Sequence, residues 1–197
     1  MRVLNVGGGG ESGAIPPIYD GWDVVRLDIN PTCRPDLLMD AKDLNNLDAA
    51  QFDAVYSAHC LEHIYPHELR AVLHGMYHVL TDDGFVDISV PNIGKLLQVV
   101  AERGLDLDSH LYDSPGGPIG VRDMIWGYSR FQEYNHHPEL QLHKNGFTQR
   151  TLAQLLIQCD FAFAYMVANG WDLRVVAFKV EPGTERLRAL GLAAADD

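Results

Sequence analysis

The chain has 197 residues, of which 47% are hydrophobic and 21% charged, and its formal net charge is −12 with a pI near 5.0. That length buries one good core but hardly two, and the acidic balance argues against a nucleic-acid partner, which normally meets a basic face. No apolar run approaches the ~20 residues of a membrane span, and no charged-then-apolar leader opens the chain. The expectation is a cytoplasmic protein with no membrane partner, and a homodimer is compatible with this composition. Cys33, Cys60 and Cys159 are odd in number and far apart, which suits a reducing compartment and offers neither a disulfide framework nor a zinc-finger spacing.

In chain order, Arg2–Val6 reads as a short apolar strand, Asp23–Leu27 as a valine-rich second and Leu37–Met39 as a very short third. "DAVYS" (53–57) and "FVDISV" (85–90) continue the series. Between them Pro66–Leu80 predicts a helix, with proline at a first helical position and Leu69, Val72, Leu73, Met76 and Leu80 on one face. "TDDG" (81–84) then predicts a turn. Strands alternating with helices imply a mostly parallel sheet covered on both faces, with ligands bound beyond the carboxyl ends of the strands. Those ends are Gly7–Gly10, Asp28, Asp40, Ala58–His63 and Pro91–Asn92.

The alternation stops between about Asn92 and Phe147. This stretch holds "DSPGGPIG" (113–120), Tyr112, Trp126, Tyr128, Phe131 and Tyr134, and four histidines, His110, His136, His137 and His143. It is too aromatic for a linker and reads as an insertion, 93–147, folded over the sheet and covering a substrate. Thr148–Cys159 returns to helical periodicity with Thr148 as its N-cap. Phe161–Ala168 and Leu173–Val180 follow as two strands joined by the hairpin signal "NGWD". The expected organisation is a single domain over 1–183 and a tail over 184–197, with "RLRALGLAAADD" frayed.

"VLNVGGGGES" (3–12) admits two cofactors. Gly8, Gly10 and Gly13 spell the dinucleotide fingerprint G-x-G-x-x-G, with Asp28 twenty residues beyond Gly8. That reading needs a helix after Gly13 to hold the pyrophosphate, and Pro16-Pro17 leaves little room for one before the strand at Asp23. Gly7 and Gly9 suit instead a loop whose bare backbone approaches a cofactor closely. Asp28 after the second strand can accept both hydroxyls of a ribose, and Asp40 after the third can meet an exocyclic amine, with Ala41 lending a backbone N–H.

With these features, "LNVGGG" (4–9), "GWDVVRLD" (21–28), "FDAVYSAHCLEHI" (52–64) and "HKNGFT" (143–148) resemble class I S-adenosylmethionine (SAM)-dependent methyltransferases. Within that class they are similar to the small bacterial predicted methyltransferases with LNxGxG, YSxHxLEH and HKxGFT motifs. "LTDDGFVDISVPN" (80–92) fits the family's pattern except for Asp82-Asp83 where Pro-Gly is usual. The resemblance, over roughly residues 2–180, implies an α/β, Rossmann-like three-layer sandwich: a seven-stranded, mostly parallel sheet with an antiparallel last strand and an insertion after the fifth. It implies S-adenosyl-L-methionine as cofactor, with Asn5, Gly7, Gly8 and Gly9 around its methionine part. Asp28 and Ile29 would lie at the ribose, Asp40 and Ala41 at the adenine, and Ser57, Ala58 and His59 beside the sulfonium. Asn5 stands where most of the wider class has an acid.

His59 is the candidate general base, since a neutral imidazole near pH 7 takes a proton from a hydroxyl. Glu62 reads as a structural residue. His63, Trp126, Tyr128 and His143 are the candidate substrate contacts, the aromatics suiting a sugar face. A metal set of His136, His137, His143 and Asp113 matches no ligand spacing, so no metal is expected. The resulting reading is methyl transfer to a small-molecule or glycan-type acceptor, at a hydroxyl. A nicotinamide-dependent oxidoreductase and a non-catalytic SAM-binding protein are the alternatives.

Overall fold

The computed structural model describes residues 1–9, 15–130 and 137–192. Seven strands form one sheet in the order β3-β2-β1-β4-β5-β9-β8: β1 (Arg2–Val6), β2 (Asp23–Asp28), β3 (Leu37–Leu38), β4 (Phe52–Ala58), β5 (Leu80–Pro91), β8 (Phe163–Asn169) and β9 (Asp172–Phe178). β1 through β5 pair in parallel, and β9 runs antiparallel between β5 and β8. This is the seven-stranded Rossmann-like sheet with an antiparallel last strand that the sequence implies. Strand order reverses at β1, so β1 and β4 open a crevice at their carboxyl ends.

Alternating side chains divide the core. Leu4, Val6, Val86, Ile88, Val90, Leu173 and Val175 face helix α1 (Leu69–Val79) and, with Leu152, Leu156 and Phe161 near helix α4 (Gln149–Ile157), make the larger cluster. Val3, Ala54, Phe85, Val176 and Phe178 point the other way, where Tyr19 and Leu190 close over them. That second face is covered thinly. Pro16 and Pro17 permit only the 3-10 turn Pro17–Tyr19, so no long helix precedes β2 among the described residues. The rest of the cover is a short helix, α5 (Thr184–Ala189), with Leu190 buried behind it. The stretch expected to fray is therefore folded as far as Leu190, because Leu187 and Leu190 have an apolar face to rest on; residues 193–197 lie outside the described part.

Two further boundaries shift. Helix α1 begins at Leu69, three residues after Pro66. "TDDG" does not separate α1 from the next strand. β5 starts at Leu80, and the register jumps from Phe52↔Leu80 to Ala54↔Phe85, so residues 81–84 bulge within the strand. Thr148 caps α4 as expected, its hydroxyl accepting the Thr151 N–H at 3.2 Å.

The insertion is a folded unit. Helix α2 (Ile93–Arg103), the hairpin β6 (His110–Ser114)–β7 (Gly117–Gly120) and helix α3 (Val121–Trp126) enclose Leu96, Ile119, Val121 and Met124, with Trp171 of the β8–β9 turn packed against them. Among the described residues no helix is long and apolar enough to cross a membrane.

Candidate functional site

The carboxyl ends of β1, β2, β3 and β4 meet around a cleft of about 440 Å³, within the ~300–1,000 Å³ of small-molecule sites. On one wall lies the glycine loop. Gly7 and Gly9 hold φ of +72° and +65°, where a side chain is strained. Gly8 is required for another reason: a Cβ there would sit 2.1 Å from the Asn5 amide, and one at Gly7 would sit 2.6 Å from Cys60 Sγ. A Cβ on Gly9 would meet nothing within 4 Å, so this residue presents open backbone. Asn5 is buried beneath the loop and supports it from below.

Asp28 organises this wall. One carboxylate oxygen accepts the Gly9 N–H at 3.0 Å, and the other accepts the Asn30 N–H at 2.8 Å. Each oxygen has a second lone pair left for a hydroxyl donor. Ile29 beside it is 48% exposed, an apolar surface on the cleft. Asp40 caps the 3-10 turn Ala41–Asn46 through the Lys42 N–H and pairs with Lys42 Nζ at 2.9 Å. Glu68 adds a second, longer partner to that lysine at 3.5 Å. Gly7, Gly9, Asp28, Ile29, Asp40, Ala41, His59 and His63 all line the cleft. Gly8, Ser57 and Ala58 do not, and Ser57 is fully buried on the strand itself. Gly10 and Gly13 lie outside the described residues.

The opposite wall is ionic. His59 has φ +50°, an uncommon conformation for a side-chain-bearing residue, and its N–H bonds the Ser89 carbonyl at 2.9 Å. Its imidazole lies between two carboxylates, with Nε2 3.7 Å from Asp172 and Nδ1 3.2 Å from Glu62. Asp172 and then Glu62 raise its pKa to about 10, against the opposing cost of burial. The expected neutral imidazole is thus an imidazolium at pH 7, its N–H groups turned toward carboxylates. The reason is Asp172, the last residue of "NGWD", which reads in sequence only as part of a hairpin turn.

Glu62 is buried, an acid at 1% exposure beside the buried Leu61. It sits in the 3-10 turn Leu61–His63. Its backbone carbonyl accepts N–H groups from Lys144 at 2.8 Å and Asn145 at 3.1 Å, which brings "HKNGFT" against "CLEH". The imidazoles of His63 and His143 then meet at a centroid distance of 5.1 Å. His63 Nδ1–H donates to the Leu142 carbonyl and His143 Nδ1–H to the Met124 carbonyl, both at 3.0 Å. Burial lowers the pKa of His143. His143 thus packs against His63, which lines the cleft, without lining it itself. Lys144, missed in the sequence, lines the cleft and lies 4.8 Å above the Tyr65 ring.

The insertion aromatics go elsewhere. Tyr128 donates its hydroxyl to the Gly116 carbonyl at 2.7 Å, and Trp126, 45% exposed, lies under the Arg122 guanidinium at 5.8 Å. Neither lines the cleft. Of the His136, His137, His143 and Asp113 set, Asp113 pairs with His110 and His137 with Glu139, while His136, with Phe131 and Tyr134, lies outside the described residues.

Residues 4–88 match the model of a family described as a methyltransferase domain. No curated protein matches the chain in sequence. Solved structures share its fold. A SAM-dependent methyltransferase from Archaeoglobus fulgidus is 16% identical with a TM-score of 0.58, over 89% of this chain and 85% of that one. The 1,6-didemethyltoxoflavin-N1-methyltransferase of Burkholderia thailandensis, with 1,6-didemethyltoxoflavin and S-adenosylhomocysteine bound, is 22% identical with a TM-score of 0.53, over 91% and 71%. A SAM-dependent methyltransferase from Methanosarcina mazei is 15% identical with a TM-score of 0.55, over 91% and 93%. The match runs from β1 into β5, and S-adenosylmethionine is the cofactor against which the cleft is to be tested. The cleft suits that group: open backbone at Gly9, a carboxylate with spare lone pairs at Asp28 and an exposed apolar side chain at Ile29. A dinucleotide cofactor loses the helix it requires, since residues 15–22 hold only a 3-10 turn.

Proposed function

We propose that the domain methylates a small-molecule or glycan-type acceptor at a hydroxyl, within the cleft that the insertion flanks. The observation that carries this is one cleft shared by two kinds of wall: Gly7, Gly9, Asp28 and Asp40 on one side, His59 and His63 on the other. When bound, SAM supplies a methyl group on a sulfonium, a good leaving group for in-line displacement, so that positioning does most of the catalysis. Asp28 holds the ribose hydroxyls, Asp40 and Ala41 lie at the adenine, and the Gly7–Gly9 backbone lies along the methionine part. His63 and His143 face the acceptor. His59, charged and held between Asp172 and Glu62, is a positioning residue that keeps those carboxylates in place. The acidic surface supports a neutral, small acceptor over a polyanion.

Incubation with methyl-labelled SAM and a panel of hydroxyl compounds, including free and linked sugars, tests this reading. Label transfer to a hydroxyl, with S-adenosylhomocysteine formed one for one, is the expected result. Tight SAM binding with no transfer to any member would favour the non-catalytic alternative.

A further inference from the structure

We propose that Glu62, His63 and His143 form a binding site for a divalent transition-metal ion of the zinc class at the mouth of the cleft. One donor atom from each residue lies within 4.8 Å of those of the other two. Zinc bonds of ~2.0–2.1 Å at tetrahedral angles bring donors to about 3.3 Å apart, so each pair has to close by at most about 1.5 Å.

Two observations beyond proximity point to a cation. First, Glu62 is 1% exposed, and its Oε2 is buried with no hydrogen-bond partner among the described residues. Leaving a buried charged oxygen unmet costs more than the ~1–3 kcal/mol of a neutral group, unless the site is built to receive something. Its other oxygen is already used by His59. Second, both imidazoles are turned the same way. Each donates Nδ1–H to a backbone carbonyl, that of Leu142 or Met124, so Nε2 is the nitrogen that carries the lone pair. A ring anchored through one N–H with its other nitrogen presented is the outer-shell arrangement of metal-ligating histidines. The bonds from Lys144 and Asn145 to the Glu62 carbonyl fix the two ligand-bearing segments to each other.

The donor set selects the ion. Two imidazoles and one carboxylate suit zinc and its neighbours, while magnesium and calcium prefer oxygen donors throughout. Three protein ligands leave zinc a fourth position for water or another oxygen ligand. The proposal rests on these side chains alone and stands whether or not the acceptor is a hydroxyl.

The test uses untagged full-length protein stripped with chelator and then titrated with Zn²⁺ alone, followed calorimetrically and by competition with a zinc-sensitive dye. One equivalent is expected to bind with submicromolar affinity, and Co²⁺ in its place should give the visible absorption of a low-symmetry site. Glu62→Gln and His143→Ala should each weaken binding at least ~100-fold, as loss of a direct ligand exceeds the 10–100-fold of outer-shell changes. His110→Ala, on the hairpin β6–β7, should leave it unchanged. His63→Ala is the further variant should either of the first two fail to fold, because its side chain is more exposed. Thermal melts and S-adenosylhomocysteine affinity report folding separately. No saturable binding by the wild type, or binding kept by the folded His63→Ala and His143→Ala variants, would overturn the proposal.

Discussion

Asp172 and Arg174 lie two residues apart on β9, on the same face of the sheet, and their surroundings could hardly differ more. Arg174 makes a two-pronged pair with Asp87 at 2.8 and 2.9 Å and gives a third N–H to the Leu190 carbonyl. Tyr19 donates its hydroxyl to the same carboxylate at 3.1 Å, and burial, with Asp87 adding to it, pushes that hydroxyl's pKa up. Every charge there is answered within the fold. Asp172, 40% exposed, has His59 at 3.7 Å, and His59 leads to Glu62, whose Oε2 has no partner among the described residues. A closed ionic cluster fixes the second face, which no long helix covers among the described residues. An open one, on the rim of the cleft, keeps binding capacity in reserve.

Breaking the closed cluster should produce the largest effect on stability. Arg174→Met leaves Asp87 buried and unpaired, which costs about 3–5 kcal/mol and should lower the Tm by roughly 10 °C. Adding Asp87→Asn should restore part of that loss. A drop below about 1 kcal/mol in chemical denaturation would mean that this pair is not what holds the second face. At the cofactor wall the loss should appear in binding. Asp28→Ala removes a carboxylate acceptor whose hydrogen bonds are worth ~1.5–3 kcal/mol each, so S-adenosylhomocysteine affinity should fall on the order of 100-fold by calorimetry. Affinity within threefold of wild type would remove Asp28 from the cofactor site.

These two walls were not equally legible in the sequence. Strands β1 to β4, the glycine loop, Asp28 and Asp40 follow from local rules, because a strand period, a turn and a cap are each decided within a few residues. Gly7 and Gly9 carry positive φ as their place after β1 suggests, whereas the need for glycine at 8 comes from Asn5 beneath it. The ionic wall depends on chain segments far apart. His59 is charged because of Asp172, and His63 finds His143 because Lys144 and Asn145 bond back to Glu62. A histidine's protonation state belongs to its neighbours, and pattern within one motif does not reveal them. The same limit explains Glu62, which reads as a structural residue until its burial and its unanswered oxygen are seen together.

The smallest stability change should accompany Asp172→Asn, and it separates the two clusters most cleanly. Both partners are substantially exposed, the His59 side chain at 52% and the Asp172 side chain at 40%, and pairs of that kind contribute about 0–1 kcal/mol. The Tm should therefore move by no more than about 2–4 °C. The carboxylate nevertheless fixes one side of the His59 ring, and the ring fixes Glu62. With that charge gone, Nε2 loses its ion partner and the imidazole is held from one side only. Turnover with an identified acceptor should fall about tenfold, while S-adenosylhomocysteine affinity, set on the other wall, stays within a factor of two. A variant that lost stability like Arg174→Met and kept its turnover would reverse the assignment, making Asp172 another brace of the sheet and leaving the cleft's ionic wall to Glu62 and the two histidines.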